Sequence, residues 1–114
     1  MANLKNNFKS KKSYFLSLAF EQAKTNLGST KKNPSVGCVV ERDGAVISSG
    51  RTSLSGRPHA EFNALNKKKN FKNSSMYITL EPCSHYGVTP PCTNIIIKKK
   101  IKKVFYSVFD PDKR

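Results

Sequence analysis

The chain has 114 residues, of which 37% are hydrophobic and 25% are charged, and its formal net charge at pH 7 is +14. This length suits one domain with a modest core, and the balance of apolar and charged residues excludes a disordered chain. No apolar run is long enough for a bilayer span, and the basic N-terminus adjoins no apolar segment, so no membrane partner is expected. The three cysteines fit a reducing, cytoplasmic compartment better than a disulfide framework.

Lysine accounts for most of the excess positive charge, and it is distributed in short runs. These runs lie at residues 11–12, 31–32, 67–69, 98–100 and 102–103. Arginine, which reads phosphates and base edges better than lysine, is scarce. We therefore interpret the lysines as solvated surface and expect no nucleic-acid partner. Their positive electrostatic potential would still attract a small anionic substrate.

The chain is predicted to begin with a polar tail and a helix. Residues 1–12 are polar and are expected to form a disordered N-terminal tail. A helix is expected over residues 13–27, because apolar side chains recur there at helical spacing. Gly28 is then a natural stop for this helix.

A β-hairpin is predicted next. Residues 36–41 read as a buried strand and residues 45–49 as its partner, with Arg42, Asp43 and Gly44 supplying the turn. Cys38 lies inside the first strand. We expect it to be a buried core thiol and not a metal ligand.

The second half of the sequence alternates helices with strands. The expected elements are a loop over residues 50–58, a helix over 59–66, a strand over 76–80, a helix beginning near Cys92 and a strand over 104–108. This alternation favours a three-layer α/β/α domain with a mixed sheet, in which parallel crossings follow the initial hairpin. Ligands of such sheets bind beyond the carboxyl ends of the strands, where His59 and Cys83 are expected to converge.

The stretch LEPCSHYGVTPPC contains Cys83 and Cys92 with eight residues between them. Pro90 and Pro91 cannot continue a helix from upstream, but they suit its first turn. Cys92 would then lie near the positive end of a helix dipole, which lowers a thiol pKa and favours the thiolate that a metal binds.

Upstream of these cysteines, His59 and Glu61 lie two residues apart. Alone, such a pair occurs by chance on many surface helices, and isolated cysteines are usually small buried hydrophobes. Together they match the zinc deaminase signature H-x-E followed by P-C-x-x-C, except that the second cysteine comes six residues later. We therefore predict Zn²⁺ as the cofactor, with His59, Cys83 and Cys92 as its ligands and the fourth position left for water. Glu61, which does not bind the metal, would move protons.

Four blocks of the sequence together resemble a known family. They are NPSVGC at residues 33–38, GRPHAE at 56–61, TLEPCSHYGVTPPC at 79–92 and DP at 110–111. With these blocks the chain resembles, from about Tyr14 onward, the deaminase domain of the bifunctional riboflavin-biosynthesis deaminase/reductase, within the cytidine deaminase-like superfamily. The long spacer between the cysteines is the specific feature, because cytidine and tRNA adenosine deaminases resemble the same layout with a two-residue spacer.

The resemblance implies an activity and a substrate. The expected reaction is zinc-dependent hydrolytic deamination of the ribosylamino-pyrimidine phosphate of riboflavin synthesis, in which a diaminopyrimidinone becomes its aminouracil. Asn33 is the candidate for reading the polar edge of the pyrimidine, although an asparagine before a proline is also a common turn former. Relatives commonly carry a basic residue where this chain has Val88. Because Val88 cannot bind the substrate phosphate, the candidates for that contact are His85 and four cations: Lys31, Lys32, Arg51 and Arg57.

The resemblance also bears on the C-terminus and on alternative functions. In the family, further structure and usually a reductase domain follow Asp110, so residues 13–114 are expected to be a deaminase domain truncated at its C-terminus and lacking the reductase. A nucleoside or tRNA adenosine deaminase remains an alternative, which the long spacer and the scarcity of arginine disfavour. An inactive truncated zinc-binding module is a second alternative, which an intact Glu61 disfavours. Homo-oligomerisation is left open.

Overall fold

The computed structural model of the chain describes residues 4–30, 35–79 and 92–106, with side chains described from Lys11 in the first range and from Thr93 in the last. The elements in these ranges are α1 (Leu4–Thr25), β1 (Gly37–Arg42), β2 (Ala45–Arg51), α2 (Ala60–Leu65), β3 (Ser75–Ile78), α3 (Cys92–Lys98) and β4 (Lys103–Tyr106). The strands form one sheet in the order β2–β1–β3–β4. Strand β1 pairs antiparallel with both β2 and β3, whereas β3 pairs parallel with β4, so the sheet is mixed as predicted.

Helix α1 differs from the prediction at its beginning. It starts at Leu4, nine residues before the predicted start at Ser13, so residues 4–12 are helical where a disordered tail was expected. The chain contains neither glycine nor proline from residue 4 to residue 25, and lysine and leucine are good helix formers, so nothing local breaks the helix earlier. Gly28 follows the end of α1 with a φ of 84°, as expected of a residue that stops a helix.

The two faces of the sheet carry separate apolar clusters, which produces the three layers. On one face, alternate residues of β1 and β3 pack against α2 and α3; this cluster includes Cys38, Val40, Met76, Ile78, Ala64, Leu65 and Ile96. On the other face, Val39 and Tyr77 pack against α1. Full burial of one valine, leucine, isoleucine or methionine side chain in these clusters stabilises the fold by about 1.5–3 kcal/mol. The prediction that Cys38 is a buried core thiol is confirmed.

Two glycines let the helices lie directly on the sheet. A Cβ at Gly37 would lie 1.8 Å from the carbonyl oxygen of Ala19 in α1, and a Cβ at Gly50 would lie 2.5 Å from the carbonyl oxygen of Ala60 in α2. Real Cβ atoms are essentially never this close to a backbone atom. These two positions therefore set how closely α1 and α2 approach opposite faces of the sheet.

The hairpin turn is held by a buried carboxylate. Asp43 and Gly44 have φ values of 54° and 86°, which is the two-residue turn that matches the twist of the strands. Glu41 is 4% exposed, and its carboxylate accepts a hydrogen bond from the Gly44 amide at 2.8 Å and from the Tyr77 hydroxyl at 3.2 Å. The Lys11 ammonium lies 3.3 Å from the same carboxylate, so the buried charge is paired. Burial, then the charge and hydrogen bond of Glu41, raise the pKa of Tyr77 to about 12.

The second half matches the predicted order of elements. Helix α2 begins and ends within one residue of the predicted bounds, because His59 and Asn66 are its caps. Strands β3 and β4 begin one residue earlier than predicted, and the predicted ends of both strands lie outside the described residues. Within the described ranges, no helix is long and apolar enough to cross a membrane.

The lysine runs at residues 67–69 and 98–100 come together at one end of the fold. They follow the ends of α2 and α3, and the Lys99 ammonium donates a hydrogen bond to the carbonyl oxygen of Lys67 at 3.3 Å. Cations suit the carbonyl-rich end of a helix. The charge that appears scattered in the sequence is therefore partly gathered in space.

Candidate active site

The candidate site lies at one edge of the sheet, which we call the site edge and define by Gly37, Arg51 and Ile78. Gly37 pairs with Arg51, and the neighbouring Cys38 pairs with Ile78, so the start of β1 and the ends of β2 and β3 meet here. Helix α2 follows β2 and begins at this edge. The chain leaves α3 beside the start of β3, where the Lys102 amide donates to the carbonyl oxygen of Ser74 at 2.8 Å, so the beginning of α3 is directed towards the site edge. The lysine-rich ends of the two helices lie farther from the site edge, and the Lys67 ammonium donates to the Ser48 hydroxyl in the middle of β2 at 2.7 Å.

His59 occupies the N-cap of α2 at the site edge. Its backbone is extended, with a φ of −73° and a ψ of 166°, and its side chain makes no hydrogen bond that caps the helix. Burial lowers the pKa of His59, and the positive charge of Arg57 lowers it further. The neutral ring is thus the favoured form near pH 7, and the neutral ring is the form that binds a metal.

Glu61 lies two residues further along, in the first turn of α2. It is only 4% exposed. A carboxylate at this depth is removed from bulk water, and its interactions with nearby charges and dipoles are stronger than they would be on the surface. The two residues that the sequence paired as His-x-Glu therefore lie together at the beginning of one helix.

The other predicted site residues are described incompletely. Cys92 is the first described residue of α3, so it lies near the beginning of a helix, as predicted. Cys83 and His85 fall between Thr79 and Cys92, and Asn33 falls between Thr30 and Ser35, so all three lie outside the described residues. Among the side chains that are described, no group of three or more His, Cys, Asp or Glu residues could hold a metal ion.

Two threonines, which sequence reasoning missed, fasten the start of β1 at the site edge. The Thr52 hydroxyl accepts a hydrogen bond from the Val36 amide at 2.9 Å, and the Thr79 hydroxyl accepts one from the Gly37 amide at 3.1 Å. On the α1 side, the Asn26 side-chain amide donates to the carbonyl oxygen of Thr52 at 2.8 Å. These contacts fix the point at which the chain arrives from Asn33. A threonine directly after a strand was the available signal, but such residues are common in turns.

Sequence reasoning also missed Asn63, in the second turn of α2. Its side-chain amide nitrogen lies 2.7 Å from the carbonyl oxygen of Arg51, 3.0 Å from the Ser53 hydroxyl and 3.2 Å from the carbonyl oxygen of Pro58. A mostly polar cavity of about 600 Å³ adjoins this contact and is also lined by Asn26 and Arg51. No sequence signal marks Asn63, because its partners lie five to twelve residues away, at the end of β2 and in the loop that follows.

Comparison with known proteins identifies the family. The family described as the cytidine and deoxycytidylate deaminase zinc-binding region matches residues 9–108. The chain belongs to this family. A diaminohydroxyphosphoribosylamino-pyrimidine deaminase of Buchnera aphidicola subsp. Schizaphis graminum is 41% identical over 100 residues, which cover 87% of this chain and 68% of that protein.

Longer members of the family match the same region. The chloroplastic riboflavin biosynthesis protein PYRD of Arabidopsis thaliana is 42% identical over 101 residues, which cover 88% of this chain and 24% of that protein. The crystal structure of a diaminohydroxyphosphoribosylaminopyrimidine deaminase/5-amino-6-(5-phosphoribosylamino)uracil reductase from Thermotoga maritima matches with a TM-score of 0.80 and 39% identity, over 90% of this chain and 30% of that one. The chain thus spans about a quarter of the length of the Arabidopsis relative. The predicted cytidine deaminase-like α/β/α fold and the family resemblance are confirmed.

Proposed function

We propose that this deaminase-family chain catalyses the zinc-dependent hydrolytic deamination of the phosphoribosylamino diaminopyrimidinone of riboflavin synthesis to its aminouracil. The observation that carries the proposal is the buried carboxylate of Glu61, two residues after His59 at the site edge, towards which the beginning of α3 is directed. The 41% identity to the Buchnera diaminohydroxyphosphoribosylamino-pyrimidine deaminase supports the choice of substrate.

The donor atoms at the site edge fit a catalytic zinc ion. His59 supplies an imidazole whose lowered pKa favours the metal-binding form, and Cys92 lies near the beginning of α3. With Cys83, these residues would hold zinc through one nitrogen and two sulfur ligands, the set that leaves a position open for water. Bound zinc supplies the lowering of the pKa of water from about 15.7 to about 7.

Glu61 is the residue that moves protons in this proposal. Its carboxylate takes a proton from the water that attacks the ring carbon bearing the exocyclic amine, and delivers it to the departing nitrogen, so that ammonia leaves. Because Glu61 is 4% exposed, bulk water does not compete strongly for that proton. Asn33 is proposed to contact the polar edge of the pyrimidine.

The phosphate end of the substrate is proposed to reach a cation or His85 at the site edge. Arg51 ends β2 there, and Arg57 lies in the loop that leads to His59. The lysine runs at residues 67–69 and 98–100 come at the ends of α2 and α3, whereas the proposed reacting groups come at the beginnings of these helices. Screening over about 8 Å at physiological salt weakens the attraction between these lysines and the substrate phosphate. A reducing, cytoplasmic compartment is part of the proposal, since both ligand cysteines must be thiolates.

Release of ammonia from the phosphorylated pyrimidine, compared with cytidine and with an adenosine-containing tRNA, tests the proposal. Glu61→Gln should lower kcat by about 10⁴-fold, the upper range for general acid–base catalysis, because glutamine keeps the shape of the side chain but cannot carry a proton. Its zinc content and melting temperature should match those of the parent. Glu21→Gln is the matched control, because Glu21 is an exposed glutamate on α1 that pairs with Lys24.

Two outcomes contradict the proposal. A Glu61→Gln variant with a kcat within about tenfold of the parent, equivalent to about 1.4 kcal/mol, removes the proton-transfer role. A parent that binds zinc but releases ammonia faster from cytidine or tRNA than from the pyrimidine phosphate assigns a different substrate.

A further inference from the structure

The loop between β2 and α2 delivers His59 to the site edge. The loop closes on itself, because the Ser53 amide donates to the carbonyl oxygen of Pro58 at 3.1 Å and the Gly56 amide donates to the carbonyl oxygen of Ser53 at 2.8 Å. Pro58, the last loop residue before His59, is thus hydrogen-bonded to Ser53 near the beginning of the loop. The position of His59 therefore depends on how this closed loop is held against the helix.

Asn63 is the side chain that holds the loop. Its amide nitrogen contacts the carbonyl oxygen of Arg51 at the end of β2, the Ser53 hydroxyl near the beginning of the loop and the carbonyl oxygen of Pro58 near its end. An amide nitrogen carries two hydrogens, so two of these three contacts share one hydrogen. At the same time the backbone amide of Asn63 donates to the carbonyl oxygen of His59 at 3.0 Å. Asn63 therefore contacts the loop before His59 through its side chain and His59 itself through its backbone.

We infer that Asn63 is a positioning residue that fixes the loop and so holds His59 in place for zinc; the inference rests on the zinc site of the proposed function. A hydrogen bond from Asn63 to Pro58 restrains the residue directly before the ligand. The backbone bond to His59 restrains the ligand itself. Outer contacts that orient a metal-binding histidine are typically worth 10–100-fold in metal affinity or activity.

Removing the side chain should release the loop without unfolding the domain. Asn63 is only half-buried, and the sheet and both apolar clusters are built from other residues. In Asn63→Ala the carbonyl oxygens of Arg51 and Pro58 and the Ser53 hydroxyl each lose a donor, and the loop gains freedom next to His59. The expected result is weaker zinc binding, because the imidazole must then be ordered when the metal binds.

The test measures zinc affinity by competition with a chromogenic chelator, using the whole chain and zinc alone as the probe. Asn63→Ala should bind zinc 10–100-fold more weakly than the parent. Asn63→Gln keeps the amide on a longer side chain, and its zinc affinity should lie between those of the parent and Asn63→Ala. Asn66→Ala is the matched control, because Asn66 is an exposed asparagine at the other end of the same helix, and it should bind zinc like the parent.

Zinc affinity separates positioning from a merely structural role. If Asn63 only stabilises the fold, the melting temperature of the zinc-free protein falls while zinc affinity stays within about twofold of the parent, and the inference is overturned. Should Asn63→Ala fail to fold, Asn63→Gln decides alone: a loss of about threefold or more supports positioning, and parent-like affinity overturns it. A parent that binds no zinc also overturns it. A parent that binds zinc but releases no ammonia refutes the proposed reaction and leaves the Asn63 comparison valid.

Discussion

Gly50 is the position at which one added carbon atom should move the proposed catalytic residues. A Cβ there would lie 2.5 Å from the carbonyl oxygen of Ala60 and 2.6 Å from the amide nitrogen of Ala64, whereas ordinary contact begins at 3.4 Å. Both atoms belong to the backbone of α2, so no side-chain rotation relieves the overlap. In Gly50→Ala the helix must therefore retreat by about 0.8–0.9 Å. His59 and Glu61 flank Ala60 and move with it.

This displacement has two expected costs. Overpacking of this kind typically lowers the free energy of unfolding by 1–3 kcal/mol, and a loss of about 2 kcal/mol lowers Tm by about 10 °C in a domain of this size. A shift of about 1 Å at reacting groups can lower the rate by about 100-fold. Gly50→Ala should therefore lose about 100-fold in kcat for ammonia release, at a temperature at which the variant is still fully folded.

The assay pairs this variant with Val40→Ala. Val40 is buried in the cluster that faces α2 and α3, so its truncation also lowers stability, but it empties space and does not push the α2 backbone. Thermal melts verify that both variants are folded at the assay temperature, and kcat is then compared. If Gly50→Ala keeps kcat within about twofold of Val40→Ala, the argument that Gly50 sets the position of the catalytic helix is refuted.

The remaining predictions concern the metal and the buried carboxylate. The parent should bind one zinc ion, and Cys83→Ser and Cys92→Ser should each lose it, because the ligand set leaves no spare sulfur; full metal content in both variants, measured by atomic absorption, would remove these cysteines from the site. Because the pKa of Tyr77 is raised from its ordinary 10.0 to about 12, its neutral form stabilises the fold fully below pH 10, and this contribution is lost as the pH rises from 10 to about 12. Tyr77→Phe should remove the loss of stability that Tyr77 causes between pH 10 and 12. It should also lower the free energy of unfolding at pH 7 by about 1–3 kcal/mol, because Glu41 loses a hydrogen-bond donor. Denaturant titrations that show the same fall in stability between pH 10 and 12 in both proteins would refute this assignment.

Local pattern in the sequence was sufficient for the order of elements and for the placement of His59 and Glu61 at the beginning of a helix. The hairpin follows from Asp43 and Gly44, because only a few residues adopt positive φ readily at two successive positions. The position of Cys92 near the beginning of α3 was indicated by Pro90 and Pro91, and the N-cap of α2 by Pro58, which directly precedes His59. The beginning of α1 was missed, because a polar stretch that lacks glycine and proline carries no local signal that separates a helix from a tail.

Contacts between distant segments were decided only by the tertiary structure. The sequence shows His59 and Glu61 side by side, but nothing local indicates that Asn63 ties the loop before them to the helix that carries them. Nor does it indicate that the lysine runs after α2 and in the last turn of α3 meet in space. Spacing along the chain records the period of a helix or strand and the chemistry of a turn. The packing of the layers decides which side chains meet across a loop and which helix can approach the sheet closely over a glycine. These contacts form only when the whole core is packed.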